Sequence, residues 1–234
     1  MNKQEFITNC KTLNIDITED IYNRLYSYFK SLVEWNNKFN MTTIIEENDV
    51  FLLHFYDSLC LVKVVNLNTT KSLCDFGTGA GFPGLVLAIV FNNLNVTLIE
   101  SNAKKCSFLE HIKNELNLKN VEIINSRVED YSRENREKFD IVTCRAVTSI
   151  PIILELSTSL VKVNGYLSPL KSNCEEELSK YKYLLKDLDL ELTKKVTYNL
   201  PINNAFRTIP VFKKVKKTNI KYPENYSKIV KKYK

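Results

Sequence analysis

The stretch CDFGTGAGFPG, Cys74 to Gly84, holds four of the five glycines in the chain. Glycine belongs where a backbone takes positive φ or approaches a ligand closely, so this crowding marks a loop shaped around a bound group. Just before it, KSLCDF (71–76) is a short β-rich run. Just after it, FPGLVLAIVFNN (82–93) reads as a helix, with Pro83 suited to the first turn. Strand, glycine loop and helix in that order open a doubly wound sheet, whose ligands bind at the carboxyl ends of its strands.

Outward from the loop the rhythm repeats. NVTLIE (95–100), NVEIIN (120–125) and FDIVTCRA (139–146) read as strands. SNAKKCSFLEHIKNELNL (101–118) reads as a helix with Cys106, Leu109, Ile112 and Leu116 on one face. SIPIILELSTSLVKVNG (149–165) is expected as a helix closing on Gly165 as its C-terminal cap. YLSPLK (166–171), LELTKKVTYNL (190–200) and RTIPVFKKV (207–215) supply the last strands, seven in all.

Residues 1–65 contain no obvious strand. Ile21, Leu25, Tyr28 with Phe29, Leu32 and Val33 with Trp35 recur at helical spacing behind Thr18 as a cap, with Glu19 and Asp20 in the first turn. WNNKFNMTTI (35–44) interrupts the pattern with turn formers, and VFLLHFYDSLCLVKVV (50–65) resumes it. The expected architecture is α/β: a mostly parallel seven-stranded sheet with helices on both faces over residues 66–215, a helical flank over 1–65, and a tail over 216–234.

The composition is that of a globular protein, 44% hydrophobic and 26% charged over 234 residues. No apolar run approaches bilayer length, and MNKQEFITNCKTLNI lacks a signal-peptide core, so the expected location is cytoplasmic with no membrane partner. The six cysteines stand apart, and His54 and His111 are the only histidines. No zinc-ligand spacing arises, and no metal is expected. The charge is local. Residues 213–234 carry nine lysines against the single acid Glu224, a net of +8 in a chain whose total is +6, so residues 1–212 sum to −2. Lys213, Lys214, Lys216 and Lys217, with interleaved tyrosines further along, suit RNA phosphates and bases; the plainer reading is a solvated tail.

Two ligands suit the glycine loop. Gly79-Ala80-Gly81-Phe82-Pro83-Gly84 matches the dinucleotide pattern G-x-G-x-x-G, with Glu100 as ribose acid. The alternative is S-adenosylmethionine, whose methionine end lies over D/E-x-G-x-G-x-G. Asp75 before Gly77, the alternate glycines Gly77, Gly79 and Gly81 close to the strand, and Glu100 ending the next strand favour the methyl donor. The region after the fourth strand, TCRAVTS (143–149), lacks the proline pair used to methylate exocyclic base amines. Cys144 reads as a packed core thiol rather than a nucleophile. An acceptor that is already nucleophilic, such as guanine N7 with its free in-plane lone pair, is compatible with such a site.

At this point WNNKFNMTTI, HFYDSL (54–59), DFGTGAGFPG (75–84), SRVED (126–130), CRAV (144–147), PLK (169–171) and RTIPVFKK (207–214) are similar to the successive motifs of one family. They resemble the bacterial 16S ribosomal RNA guanine-N7 methyltransferases, also called glucose-inhibited division protein B, over nearly the whole chain. The resemblance implies a class I, Rossmann-like methyltransferase fold, S-adenosylmethionine as cofactor, and 16S ribosomal RNA or the small ribosomal subunit as partner; separately from the resemblance, a monomer is the expectation, with the oligomeric state left open by the sequence. It places cofactor contacts on Gly77, Gly79, Phe82, Glu100, Val128, Glu129 and Arg145. Arg127, Lys171 and Arg207 are then RNA contacts, and Arg145 and Lys171 help seat the guanine. His54 and Asp57 are expected to hold the helical flank against the sheet, with Trp35 as a packing anchor. KYPENYSKIVKKYK departs from the family pattern, which has a basic residue where Glu224 stands. The alternatives are a methyltransferase for another RNA and a non-catalytic RNA-binding module with a residual nucleotide pocket.

Overall fold

The computed structural model describes residues 1–233. Its single sheet contains β1 (Ser72–Phe76), β2 (Asn95–Glu100), β3 (Val121–Asn125), β4 (Phe139–Thr143), β5 (Val161–Leu167), β6 (Leu190–Asn199) and β7 (Phe206–Lys214), in the spatial order β3-β2-β1-β4-β5-β7-β6. β3 to β5 run parallel with β1 and β2, while β7 is antiparallel to both β5 and β6. The order reverses between β1 and β4, which opens a crevice between the loops that follow them.

Two cores cover the two faces. One joins the N-terminal helices to the Gly84–Val90 and Ala103–Glu115 helices through Tyr28, Phe51, Phe55, Leu85 and Phe108. The other packs the Val128–Glu134 and Ile150–Ser157 helices with the C-terminal segment, through Phe76, Leu154, Tyr222, Ile229 and Tyr233. Residues 1–63 therefore share one hydrophobic core with the sheet.

Local chemistry sets the N-terminal helices. Thr18 accepts from the Ile21 amide at 3.3 Å to cap the Glu19–Phe39 helix, which stops at Asn40 in the left-handed conformation (φ 47°). A helical run then spans residues 47–63, and its Val50–Tyr56 portion is wound as a π-helix, a local widening common beside functional sites.

The expectation for residues 149–165 needs correction. The helix ends at Ser157, a short turn covers Thr158–Leu160, and Val161–Leu167 is β5, so Gly165 lies within a strand. The register of β4 against β5 shifts there, and Asn164 is left-handed at φ 68°. A Cβ on Gly165 would lie 2.8 Å from the Asp140 carbonyl oxygen, so glycine serves a close strand approach rather than a helix end. The helices Glu175–Lys180 and Leu184–Asp187 were not anticipated from the sequence. Nor was the one at Val128–Glu134, where seven residues are too few to display a helical period.

Among the described residues no helix is long and apolar enough to cross a membrane, and no group of three or more His, Cys, Asp or Glu could hold a metal ion.

Candidate active site

The loop after β1 owes its shape to three left-handed glycines, Gly77 (φ 61°), Gly79 (φ 62°) and Gly81 (φ 105°). Gly77 N–H donates to Ile99 O at 2.8 Å, carrying the β1–β2 ladder into the turn. Gly79 N–H donates to Glu100 Oε2 at 2.9 Å, and Asn102 N–H to Oε1 at 2.8 Å. The Glu100 carboxylate thus sits at the end of β2 between the glycine loop and the Ala103–Glu115 helix. Each oxygen accepts one bond and keeps a lone-pair direction for a ligand hydroxyl.

Asp75 faces the other way. Its Oδ2 accepts from Thr78 Oγ1 at 2.6 Å and from Gly84 N–H at 2.7 Å, while Oδ1 is buried with no hydrogen-bond partner. Burial raises its pKa to about 7 against those two bonds. It braces the loop from beneath.

The helical flank supports the same loop. Tyr28, fully buried, donates its hydroxyl to the Ala80 carbonyl and stacks between Phe55 and Phe82, with centroids at 5.4 and 5.7 Å. A Cβ on Gly81 would lie 2.6 Å from that hydroxyl. Phe82 is stacked on the His54 ring at 4.3 Å and 18°, and the Arg145 guanidinium lies 5.1 Å from the Phe82 centroid.

Arg145 lies two residues beyond β4 in the crevice. It donates through Nη1 to Leu53 O at 2.7 Å and to Asp57 Oδ2 at 3.4 Å, and through Nη2 to His54 Nδ1 at 2.8 Å. His54 accepts there and is the Nε2–H tautomer, which donates to Thr42 Oγ1 at 3.1 Å. Burial and the Arg145 charge lower the His54 pKa to about 3, so the ring is neutral. Asp57, 2% exposed, accepts from Arg207 Nε at 3.2 and 3.1 Å. The sheet itself gathers these cations: Arg145 pairs beside Leu170, and Lys171 beside Thr208, so Arg145, Lys171 and Arg207 come from three neighbouring strand ends. Lys171 Nζ donates to Thr148 O at 3.0 Å and pairs with Glu177 at 3.5 Å. Ile44, Leu53, His54, Asp57, Arg145, Leu170, Lys171 and Arg207 line a cavity of about 350 Å³.

His54 and Asp57 do tie the flank to the sheet, through Arg145 and Arg207. Trp35 packs on Phe108 at 5.6 Å. Val128, half-buried, and Glu129, buried, open the helix after β3, and Arg127 is exposed just before it. Cys144 is 1% exposed, and burial holds its thiol well above the usual pKa, so it is a core residue. The roles of Asp57 and Tyr28 as partners of site residues had no sequence signal beyond the HFYD spacing, because their partners lie as far as 150 and 52 positions away; Thr42 meets His54 across 12 positions.

The C-terminal lysines require a correction. Lys214 has a fully buried side chain that donates to Thr158 O at 3.2 Å and pairs with Glu137 at 3.7 Å, so it is not available to RNA. Burial lowers its pKa to about 8. Lys213 is half-buried in the pairing of β7 with β5. Lys216 and Lys217 are exposed, but they follow β7 at the amino ends of the parallel strands, opposite the crevice. The segment that follows is anchored to the domain rather than a free solvated tail, although most of its residues remain exposed. Arg136 donates to the carbonyls of Thr218, Asn219 and Tyr222, and Tyr226–Lys232 forms a helix with Ile229 buried.

A glycine cradle at a β1/β4 switch point, with an acid closing β2, defines a class I methyltransferase fold, and solved structures agree. The chain superposes on M. jannaschii TYW2 in complex with AdoMet with a TM-score of 0.57 at 16% identity, covering 74% of this chain and 80% of that one. It superposes on a SAM dependent methyltransferase from Aquifex aeolicus with a TM-score of 0.52 at 19% identity, covering 73% and 95%. The family model described as GidB, rRNA small subunit methyltransferase G, matches residues 21–200. Ribosomal RNA small subunit methyltransferase G of Lachnoclostridium phytofermentans is 41% identical over 221 residues, 93% of this chain and 91% of the relative. Its counterpart in Bacillus subtilis is 38% identical over 226 residues, 95% of each. The chain belongs to the GidB family of ribosomal RNA small subunit methyltransferases.

Proposed function

We propose that the chain transfers a methyl group from S-adenosylmethionine to N7 of a guanine in 16S ribosomal RNA. The observation that carries the choice of acceptor is the lack, among the described residues, of a free general base lining the cavity. His54 is neutral with both nitrogens engaged, Asp57 is held by two guanidiniums, and the Cys144 thiol is buried and protonated. Guanine N7 bears no proton, so its methylation needs alignment rather than proton removal.

The residues fit the methyl donor. Positive φ at Gly77 and Gly79 keeps side chains out of the cradle. A Cβ on Gly77 would meet Val147 at 2.8 Å, while above Gly79 the nearest group is Lys105 Nζ at 4.0 Å. Gly77, Gly79, Phe82 and Arg145 would hold the methionine end, Glu100 the ribose, and Val128 and Glu129 the adenine. Bound there, the donor supplies a methyl group activated by a sulfonium. Arg145 and Lys171 seat the guanine, and Arg127 and Arg207 take RNA phosphates. The base becomes cationic on methylation, and Arg145, Lys171 and Arg207 around it favour release of that product over its retention. The protein acts in the cytoplasm, as a monomer, on 16S RNA or the small subunit.

The test uses labelled S-adenosylmethionine with small subunits from a strain lacking this gene, followed by borohydride and aniline, which cut RNA at 7-methylguanosine. The expected result is a single new cut, absent with Gly77→Arg, which also abolishes donor binding by calorimetry. Label without a cut would discard N7. No label despite donor binding would discard the ribosomal substrate.

A further inference from the structure

Phe39, the last residue of the Glu19–Phe39 helix, is 40% exposed. Its ring lies 5.7 Å from Trp35, and Lys104 Nζ stands 5.4 Å from its centroid. Lys104 is exposed in the first turn of the Ala103–Glu115 helix, which begins at the carboxyl end of β2, and it forms no ion pair among the described residues. Lys105, beside it, is likewise unpaired among the described residues and reaches over Gly79. From Phe39 the backbone passes Asn40 and Thr42, the partner of His54, and arrives at Ile44 in the wall of the 350 Å³ cavity. One short segment thus connects an exposed aromatic ring and two free cations to the pocket that holds Arg145 and Lys171.

An exposed ring next to unpaired lysines is the pairing that stacks a base and neutralises its phosphate. A guanine that enters the cavity has left its own stack, so its neighbour has lost a stacking partner as well. We propose that Phe39 and Lys104 form a second nucleotide subsite, in which a base flanking the target guanine stacks on Phe39 and its phosphate binds Lys104, with Lys105 alongside. This rests on the reading of the protein as an RNA methyltransferase. It assigns RNA contacts to the β2 side of the crevice, across from Lys171 and Arg207.

The experiment measures affinity for a 16S RNA fragment containing the target guanine by fluorescence anisotropy over a salt series, with donor affinity by calorimetry. Phe39→Leu keeps an apolar side chain and removes the stacking face; it should weaken RNA binding about fivefold or more with the salt slope unchanged. Phe39→Trp should restore it. Lys104→Gln should weaken binding and reduce the slope of log K against log salt by about 0.7. Donor affinity should stay within about twofold of wild type in all three, as expected for a surface that touches only RNA. Wild-type RNA affinity in both Phe39→Leu and Lys104→Gln would overturn the subsite while leaving the RNA reading intact. Equal losses of RNA and donor affinity would overturn it in favour of a structural role. Defects on assembled subunits but none on RNA would overturn it in favour of a protein contact. A wild-type protein that binds no RNA would overturn the functional reading itself.

Discussion

Asp57→Ala is the substitution whose cost the structure defines best. The Asp57 side chain is 3% exposed and faces Arg207 through both oxygens at 3.2 and 3.1 Å, Arg145 at 3.4 Å, and the Tyr198 hydroxyl at 3.4 Å. Alanine removes the one carboxylate and leaves two largely buried guanidiniums facing each other. Removing one partner of a buried ion pair costs about 3–5 kcal/mol. Arg145 and Arg207 retain 14% and 19% exposure, which admits some water and places the expected loss near the low end, about 3 kcal/mol. For a domain of this size that corresponds to about 6–12 °C in Tm, measured by thermal unfolding. Arg207→Ala relieves the same repulsion, so the double variant should be less destabilised than the sum of the two single ones by about 1 kcal/mol or more. Methyl transfer should fall as well, since Arg145 loses part of its orientation. Simple additivity, with a Tm change under about 2 °C for Asp57→Ala, would refute the assignment of Asp57 as the anchor of both arginines.

His54 and Asp75 tilt stability in opposite directions with pH. His54 titrates near 3 when folded and 6.5 when free, so the unfolded chain holds the extra proton and stability is lost as pH falls below about 6.5. Asp75 titrates near 7 when folded and 3.8 when free, so the folded chain holds the extra proton and stability is lost as pH rises through about 7. Between pH 3.8 and 6.5 the two offset: the Tm of His54→Gln should fall with rising pH, that of Asp75→Asn should rise, and the wild type should be flatter than either. Identical pH slopes in all three would overturn both assignments. Deleting residues 226–234 strips the buried Glu155 carboxylate of Lys232 Nζ at 3.0 Å and the Tyr233 hydroxyl at 2.5 Å, and should lower Tm by several degrees, with Glu155→Gln partly restoring it. An unchanged Tm on deletion would show the tail to be unattached.

Legibility followed the range of the interactions involved. Positive φ at Gly77, Gly79 and Gly81, the Thr18 cap, the short apolar β-rich runs of β1 and β2, and Glu100 at a strand end all depend on residues a few positions apart. They could be read along the chain, and with them the sheet, the cradle and the methyl donor. A helix and a strand drawn from one apolar run could not be separated that way, which is why Gly165 reads as a cap until β4 is placed beside it. The sequence by itself therefore determined the succession of seven strands, the ligand loop and the chemistry that loop serves. Only the tertiary structure decided which charges meet. It buried Lys214 beneath the sheet's far end, folded a basic tail onto Glu155, and brought Asp57 to Arg207 across 150 positions. Charge pairing acts through space, and nothing in local composition records whether a lysine or an aspartate ends in water or against a buried partner.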